Sequence, residues 1–230
     1  MTIKTKAWLS WSSGKDSAWS LHVMRQRGDL EITALLTTIN RTHNRVALHG
    51  VREALLDAQA AAAGLPLVKV GIPSPCPNEI YERAMAEAMA QASAEGVTHM
   101  IFGDLFLEDI RKYREENLAK CGIAPVFPLW RLDTRILAQE MLAGGLRAIL
   151  TCVDPKKLDA TFAGRAFDEK LLTDFPPGID PCGENGEFHT FTSAGPMFAS
   201  LIRVTIGEIV ARDGLVFADL LPRAATVVRR

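Results

Sequence analysis

At 230 residues the chain can hold one large α/β domain, or one domain with a small appendage, around a sizeable buried core. Apolar residues make up 48% and charged residues 23%, the composition of an ordinary soluble globular protein. A formal net charge of -1 leaves no basic footprint for nucleic acid and no polyanionic tail, which disfavours an RNA-modifying enzyme. The cysteines Cys76, Cys121, Cys152 and Cys182 show no C-x-x-C spacing, so neither a zinc knuckle nor a thioredoxin-type pair is indicated. No apolar run reaches the length of a membrane-spanning helix and no secretory signal is read, so a cytoplasmic location without a membrane partner is expected.

The first apolar run, Ala7 to Trp11, reads as a strand. It enters the loop Ser12-Ser13-Gly14-Lys15-Asp16-Ser17 and then a helix with Ala18, Leu21, Met24 and Arg25 at helical spacing. A helix N-terminus presents unpaired N–H groups and partial positive charge, which attract phosphate. Gly14 permits close approach, Lys15 adds charge, and Ser12, Ser13 and Ser17 add hydroxyls. Asp16 repels phosphate, but suits a divalent cation held beside it. The loop is neither G-x-x-x-x-G-K-[ST] nor G-x-G-x-x-G. It resembles the PP-loop S-G-G-x-D-S of the ATP pyrophosphatases, with Ser13 where that pattern has its second glycine. The resemblance implies ATP cleaved between the α- and β-phosphates. The alternative is a plain strand-to-helix turn with a surface Lys–Asp pair.

Ile32 to Ile39 reads as a second strand, and Asn40 to Arg45 as a polar loop in which Arg41, His43 and Arg45 either close over a nucleotide or stay solvated. Val51 to Ala63 reads as a helix stopped by Gly64, with His49 and Arg52 as capping and surface groups at its start. Leu67 to Val70 is a third strand, Ile72 to Pro77 a rigid connection, and Asn78 the cap of a helix running to Gly96. Thr98 to Phe102 is a fourth strand ending at Gly103-Asp104. Asp104 at that strand end, and Glu108 and Arg114 of the charged helix Glu108 to Lys120, are the candidates kept. Pro125 to Phe127 is a fifth strand, Asp133 or Thr134 caps another helix, and Leu146 to Val153 is a sixth strand. Alternating strands and helices predict a doubly wound, mostly parallel sheet over residues 1–154, with ligands at the strand C-termini.

Beyond Asp154-Pro155, residues 155–230 read as a small C-terminal α+β region. It comprises a helix from Leu158 to Leu172, a Pro/Gly-rich stretch, and a hairpin turning at Asp213-Gly214 that closes the crevice. Within it, Gly183 to Thr190 gathers Glu184, Asn185, Glu187 and His189. This is either acid–base machinery or a polar turn cornered at Asn185-Gly186.

Together these stretches resemble the diphthine–ammonia ligase family. The resemblance rests on Trp11 to Ser17, on Gly103 to Asp109 with Arg114-Glu115, and on Cys182 to Phe191. His49 to Arg52, Gln59-Ala60 and Gly64 to Leu67 add to it, and the loop variant is closer to short prokaryotic members. The resemblance implies the N-type ATP pyrophosphatase fold, a relative of the adenine nucleotide α-hydrolase sheets, with ATP and Mg2+. The implied reaction amidates a carboxylate on modified histidine of elongation factor 2, through an acyl-adenylate attacked by ammonia. A small metabolite is the other acceptor considered, and a homodimer is left open. On this reading Ser12, Ser13, Gly14, Lys15 and Ser17 hold phosphates, Asp16 and Asp104 hold the metal with Gly103 beside them, and backbone near Thr37 and Thr38 brackets adenine. Asp16, Glu184, Asn185, Glu187 and His189 are the catalytic residues it implies, the last four lining the acceptor side. The rivals are another PP-loop reaction on a small metabolite or RNA, and an ATP-binding regulatory protein without catalysis.

Overall fold

The computed structural model describes residues 4–42, 45–46 and 49–223. The chain begins β1 (Thr5–Ser10), α1 (Lys15–Arg27), β2 (Leu30–Asn40), β3 (Arg45–Val46), α2 (Glu53–Ala63), β4 (Leu67–Ile72), α3 (Asn78–Ala94), β5 (Val97–Ile101), α4 (Glu108–Ala119), β6 (Ala124–Val126) and α5 (Thr134–Ala143). β1 pairs in parallel with β2 on one side and β5 on the other; β4 and β6 extend the sheet in parallel, and short β3 is antiparallel to β2. The strand order therefore reverses direction at β1, and the crevice of such a sheet opens where its first loop emerges. Local signals set the ends of several helices. Gly28 and Gly64 take left-handed φ at the ends of α1 and α2, and Asp133 accepts from the amides of Arg135 and Ile136 at the start of α5. Pro77 precedes α3, so Asn78, expected as its cap, is instead its first residue.

The rest of the chain forms β7 (Arg147–Val153), β8 (Ala166–Phe167), α6 (Glu169–Asp174), β9 (Phe188–Ala194), β10 (Val204–Arg212) and β11 (Leu215–Pro222). All five strands make a second, antiparallel sheet. β7, read as a sixth strand of the parallel sheet, belongs here. The boundary expected after Asp154 thus lies one strand beyond the point where the chain leaves the parallel sheet. The expected helix over Leu158–Leu172 is also corrected. It breaks at Gly164, whose φ is +82°, into a 3-10 turn at Ala160–Phe162, then β8 and α6, with Asp159 and Asp168 each capping a new start. The hairpin turns at Asp213 and Gly214 as read, both at positive φ.

One apolar cluster runs from the α1 and α2 side of the parallel sheet, through Leu9, Leu35 and Leu55, into Leu150, Phe188 and Phe191 of the second sheet. The opposite face carries its own cluster under α3 and α4, with Trp8, Met89, Met100 and Phe102. The second sheet thus shares a core with the first, fixing β9 beside the loop after β1. No helix among the described residues is long and apolar enough to cross a membrane.

Candidate active site

β1 delivers Trp11 into the core, and the chain then turns sharply. Ser13 sits at φ +72°, fully buried, its hydroxyl without a partner among the described residues. The loop therefore demands positive φ where the PP-loop pattern has its second glycine, and serine bears the steric cost. Three bonds hold it there. The amide of Thr192 on β9 donates to Ser13 O at 2.9 Å, and Gln59 Nε2 donates to the same oxygen at 3.0 Å and to Thr192 O at 2.7 Å. Gln59 Oε1 accepts from Trp11 Nε1 at 2.8 Å, so one buried amide ties α2, β9 and the loop together. Ser13→Gly is expected to raise stability by about 1 kcal/mol, read as a Tm rise of about 2–4 °C. An unchanged Tm would show that the three bonds, not the backbone, set the conformation.

Lys15 opens α1, and its backbone amide donates to Thr190 Oγ1 at 3.0 Å. Its side chain is buried between the Phe167 and Phe188 rings. All three ammonium donors are engaged, two on Asp16 Oδ1 and Oδ2 at 2.9 Å each and one on Cys182 O. Burial opposes both charges. For Lys15 it works downward, but Asp16, Cys182 and Glu184 outweigh it and leave the ammonium pKa above its ordinary value. For Asp16 burial dominates and pushes the carboxyl up against the pull of Lys15. Lys15 therefore charges the floor of the site rather than presenting free N–H groups.

β5 ends at Ile101, and Gly103, two residues on, touches the loop. A Cβ on Gly103 would stand 2.9 Å from the carbonyl carbon of Asp16 and from the amide nitrogen of Ser17. Asp104 follows, bound in two-pronged fashion by Arg114 of α4 at 2.7 and 3.0 Å. The third wall is the loop before β9. Glu184 Oε1 accepts from the Leu105 amide at 2.7 Å, and Asp180 Oδ2 accepts from the Glu184 amide at 2.8 Å. Burial, with Asp16 and Asp104 nearby, raises the Glu184 carboxyl to about 7 against the pull of Leu105 N–H and Lys15. His189 meets His49 ring to ring, centroids 4.5 Å apart. Burial holds His189 down to about 4, aided by Lys15, and His49 down to about 3, aided by His189. His49 Nδ1 lies 3.2 Å from Thr190 O, which can only accept, so Nδ1 carries the proton and Nε2 keeps its lone pair.

These groups line one cavity of about 300 Å3, walled by Ser12, Asp16, Ser17, Asp104, Glu184 and His189 among others. A pH dependence follows. Below about pH 6.5 unfolded histidines bind protons that folded His49 and His189 refuse, so these two supply stability that is lost as pH falls toward 4. Glu184 works oppositely: its folded carboxyl keeps a proton up to about pH 7, so it removes stability as pH rises from about 4.5 to 7. Between pH 6.5 and 4.5, His189→Gln is expected to lose less stability than the unaltered protein, and Glu184→Gln more. Urea midpoints at the two pH values check both signs.

The cavity gathers Ser12, Lys15, Asp16, Ser17, Gly103, Asp104, Glu184 and His189 from the residues read in the sequence, while Ser13 and Gly14 belong to the same loop but not to the lining. Others lie apart. Asn185 is exposed, and Glu187 is turned inward, where its Oε1 accepts from the amide of Asp180 and from Asn185 Nδ2; both brace the loop. Thr37 and Thr38 lie on β2 outside the cavity lining, the Thr37 hydroxyl buried and unpartnered among the described residues. Glu108 is exposed and pairs with Arg131. Arg41 lies over Gly71, Arg45 and Arg52 both grip Asp219 on β11, and His43 falls outside the described residues. His49, read as a capping or surface group, is instead a cavity wall. Gln59 carried no chemical signal of its own beyond its place in the family resemblance.

The parallel sheet, with its tight loop at the switch point and a helix N-terminus beyond it, defines an α/β protein of the PP-loop kind. Residues 5–125 match the family model described as the diphthamide synthase N-terminal domain, and residues 133–217 the one described as the diphthamide synthase C-terminal domain. The chain belongs to the diphthamide synthase family. Among curated relatives, the diphthine–ammonia ligase of Bos taurus is 33% identical over 120 residues, covering 50% of this chain and 45% of the relative. The proteins of the same name from Danio rerio and Homo sapiens are 34% and 31% identical over 121 and 120 residues, covering 50% of this chain and 47% and 45% of theirs. The chain thus spans a little under half the length of these relatives.

Proposed function

We propose that the protein is an ATP-dependent carboxylate–ammonia ligase. The observation that carries this reading is the convergence, in one cavity, of the α1 N-terminus with two carboxylates, a raised Glu184 and two neutral imidazoles. Ser12 and Ser17, whose hydroxyls lie 3.1 Å apart, and the first turn of α1 take the phosphates, over a floor charged by Lys15. Among the described residues no three His, Cys, Asp or Glu side chains are grouped to hold a metal alone. A phosphate-bound Mg2+ needs only one or two carboxylates, and the cavity offers Asp16 and Asp104. That donor set fits, and the ion would neutralise the leaving pyrophosphate.

In the reaction so read, a carboxylate oxygen bonds to the α-phosphorus of ATP and the bond to pyrophosphate breaks. The lone pair of ammonia then forms the C–N bond, the C–O bond to AMP breaks, and the surplus proton on nitrogen passes to a base. In this reading the Glu184 carboxylate, its pKa raised to about 7, takes it. The second sheet, through Thr190 and Phe188, covers the cavity and keeps water from the activated acyl group.

Diphthine and ammonia, the pair in the relatives' names, are the first substrates to assay, with elongation factor 2 carrying the diphthine as the resemblance implies. The test is incubation with ATP, magnesium, ammonium and carboxylates. AMP and pyrophosphate in equal amounts, dependent on both the carboxylate and ammonium, support the reading. ADP or inorganic phosphate as the only products overturns it, and tight ATP binding without turnover would indicate a regulatory protein.

A further inference from the structure

We propose that the cleft between α3 and α4 binds a small carboxylic acid with an apolar body, its carboxylate meeting Arg114. The cleft encloses about 440 Å3 on the face of the parallel sheet away from α1. That volume suits a small ligand. Its walls are Tyr81, Met85 and Met89 from α3, Met100 and Phe102 around β5, and Leu118 from α4. Methionine and aromatic walls adapt to an apolar body without fixing its shape.

The charge is placed at one point. Glu79, Glu82, Arg83 and Lys120 stand exposed at the mouth, two of each sign. Arg114 is the partly buried charge, stacked over Phe102 at 4.3 Å. Two of its five N–H donors go to Asp104, leaving the others for a ligand. A cation would be repelled there and a neutral body would leave those donors unused; a carboxylate matches them.

Arg114 and Phe102 also line the cavity under the PP-loop, so the two cavities share a wall. An acid whose carboxylate meets Arg114 lies against that shared wall. Resting on the ligase reading above, the cleft is the acceptor pocket and the acceptor a small acid. Its body lies in the first half of the chain rather than in the C-terminal region.

The test is calorimetric titration of the full chain, without nucleotide, by butanoate, hexanoate and octanoate. Dissociation constants should fall roughly fourfold per added CH2. 1-Octanol should bind at least tenfold more weakly than octanoate, and Arg114→Gln should erase that difference. Ala86→Phe, at an exposed position in the cleft wall, should weaken octanoate at least tenfold without touching the folded core. A constant that ignores chain length, octanol as tight as octanoate, or unchanged binding in Ala86→Phe overturns the proposal. Displacement of octanoate by adenosine also overturns it, assigning the cleft to a nucleobase. Because no ATP is present, failure here leaves the ligase reading standing, and that reading fails separately on its AMP and pyrophosphate yield.

Discussion

Lys15→Met is expected to lower stability by about 3 kcal/mol and to abolish ATP turnover. The substitution leaves the shape filled but removes the ammonium that donates to both Asp16 oxygens. A carboxylate stranded in a buried site costs on the order of 3–5 kcal/mol, and the lower end applies because the Asp16 side chain is 26% exposed. Cys182 O also loses the donor that holds the Gly183 loop against α1. The double variant Lys15→Met/Asp16→Asn separates charge from packing. It should recover at least half of the lost stability, read by urea midpoint, while staying inactive. A double variant no more stable than the single one would mean that Lys15 matters for its contacts with Phe167 and Phe188 rather than for its charge.

Gly103→Ala is expected to cost about 2–3 kcal/mol and at least 100-fold in turnover. The added methyl would stand 2.9 Å from two backbone atoms of the Asp16–Ser17 peptide, and backbone cannot swing aside as a side chain can. The loop must move away from β5, carrying Asp16 from Asp104 and spoiling the carboxylate pair. Placement errors of about 1 Å are enough for a 100-fold loss. The readout is steady-state pyrophosphate release with circular dichroism as the check on folding. Near-normal turnover would show that Asp16 and Asp104 need not be held at fixed separation.

Much of the cavity was legible because its residues sit where strand ends meet small or charged side chains: Ser12 to Ser17, Gly103-Asp104, and Glu184 with His189. Such positions carry their meaning locally. β7 did not. Its run Ala148-Ile149-Leu150 reads the same whether its neighbours are parallel or antiparallel, and only pairing across the chain decides. The same limit hid His49. Its side chain faces the cavity because Arg45 and Arg52 are pinned to Asp219 of β11, and because Gly50 lies against Phe217. None of those partners is near in sequence. Glu187 is the converse case: a glutamate among functional neighbours reads as chemical, while its side chain turns inward and accepts from the Asp180 amide. Residues 158–172 had helical spacing but also a glycine needing positive φ and two aspartates suited to starting short turns, and those local preferences prevailed.

The bond from the Lys15 amide to Thr190 Oγ1 joins residues 175 positions apart. During synthesis the partners of the loop on β9 follow it roughly 10–35 s later at ordinary elongation rates. Until then Ser13 lacks the Thr192 amide, Lys15 lacks Cys182, and Asp16 has no fixed counter-charge. Between those two points the cavity lacks its third wall. The loop gains its last wall only with β9, the strand that ties the second sheet to the first.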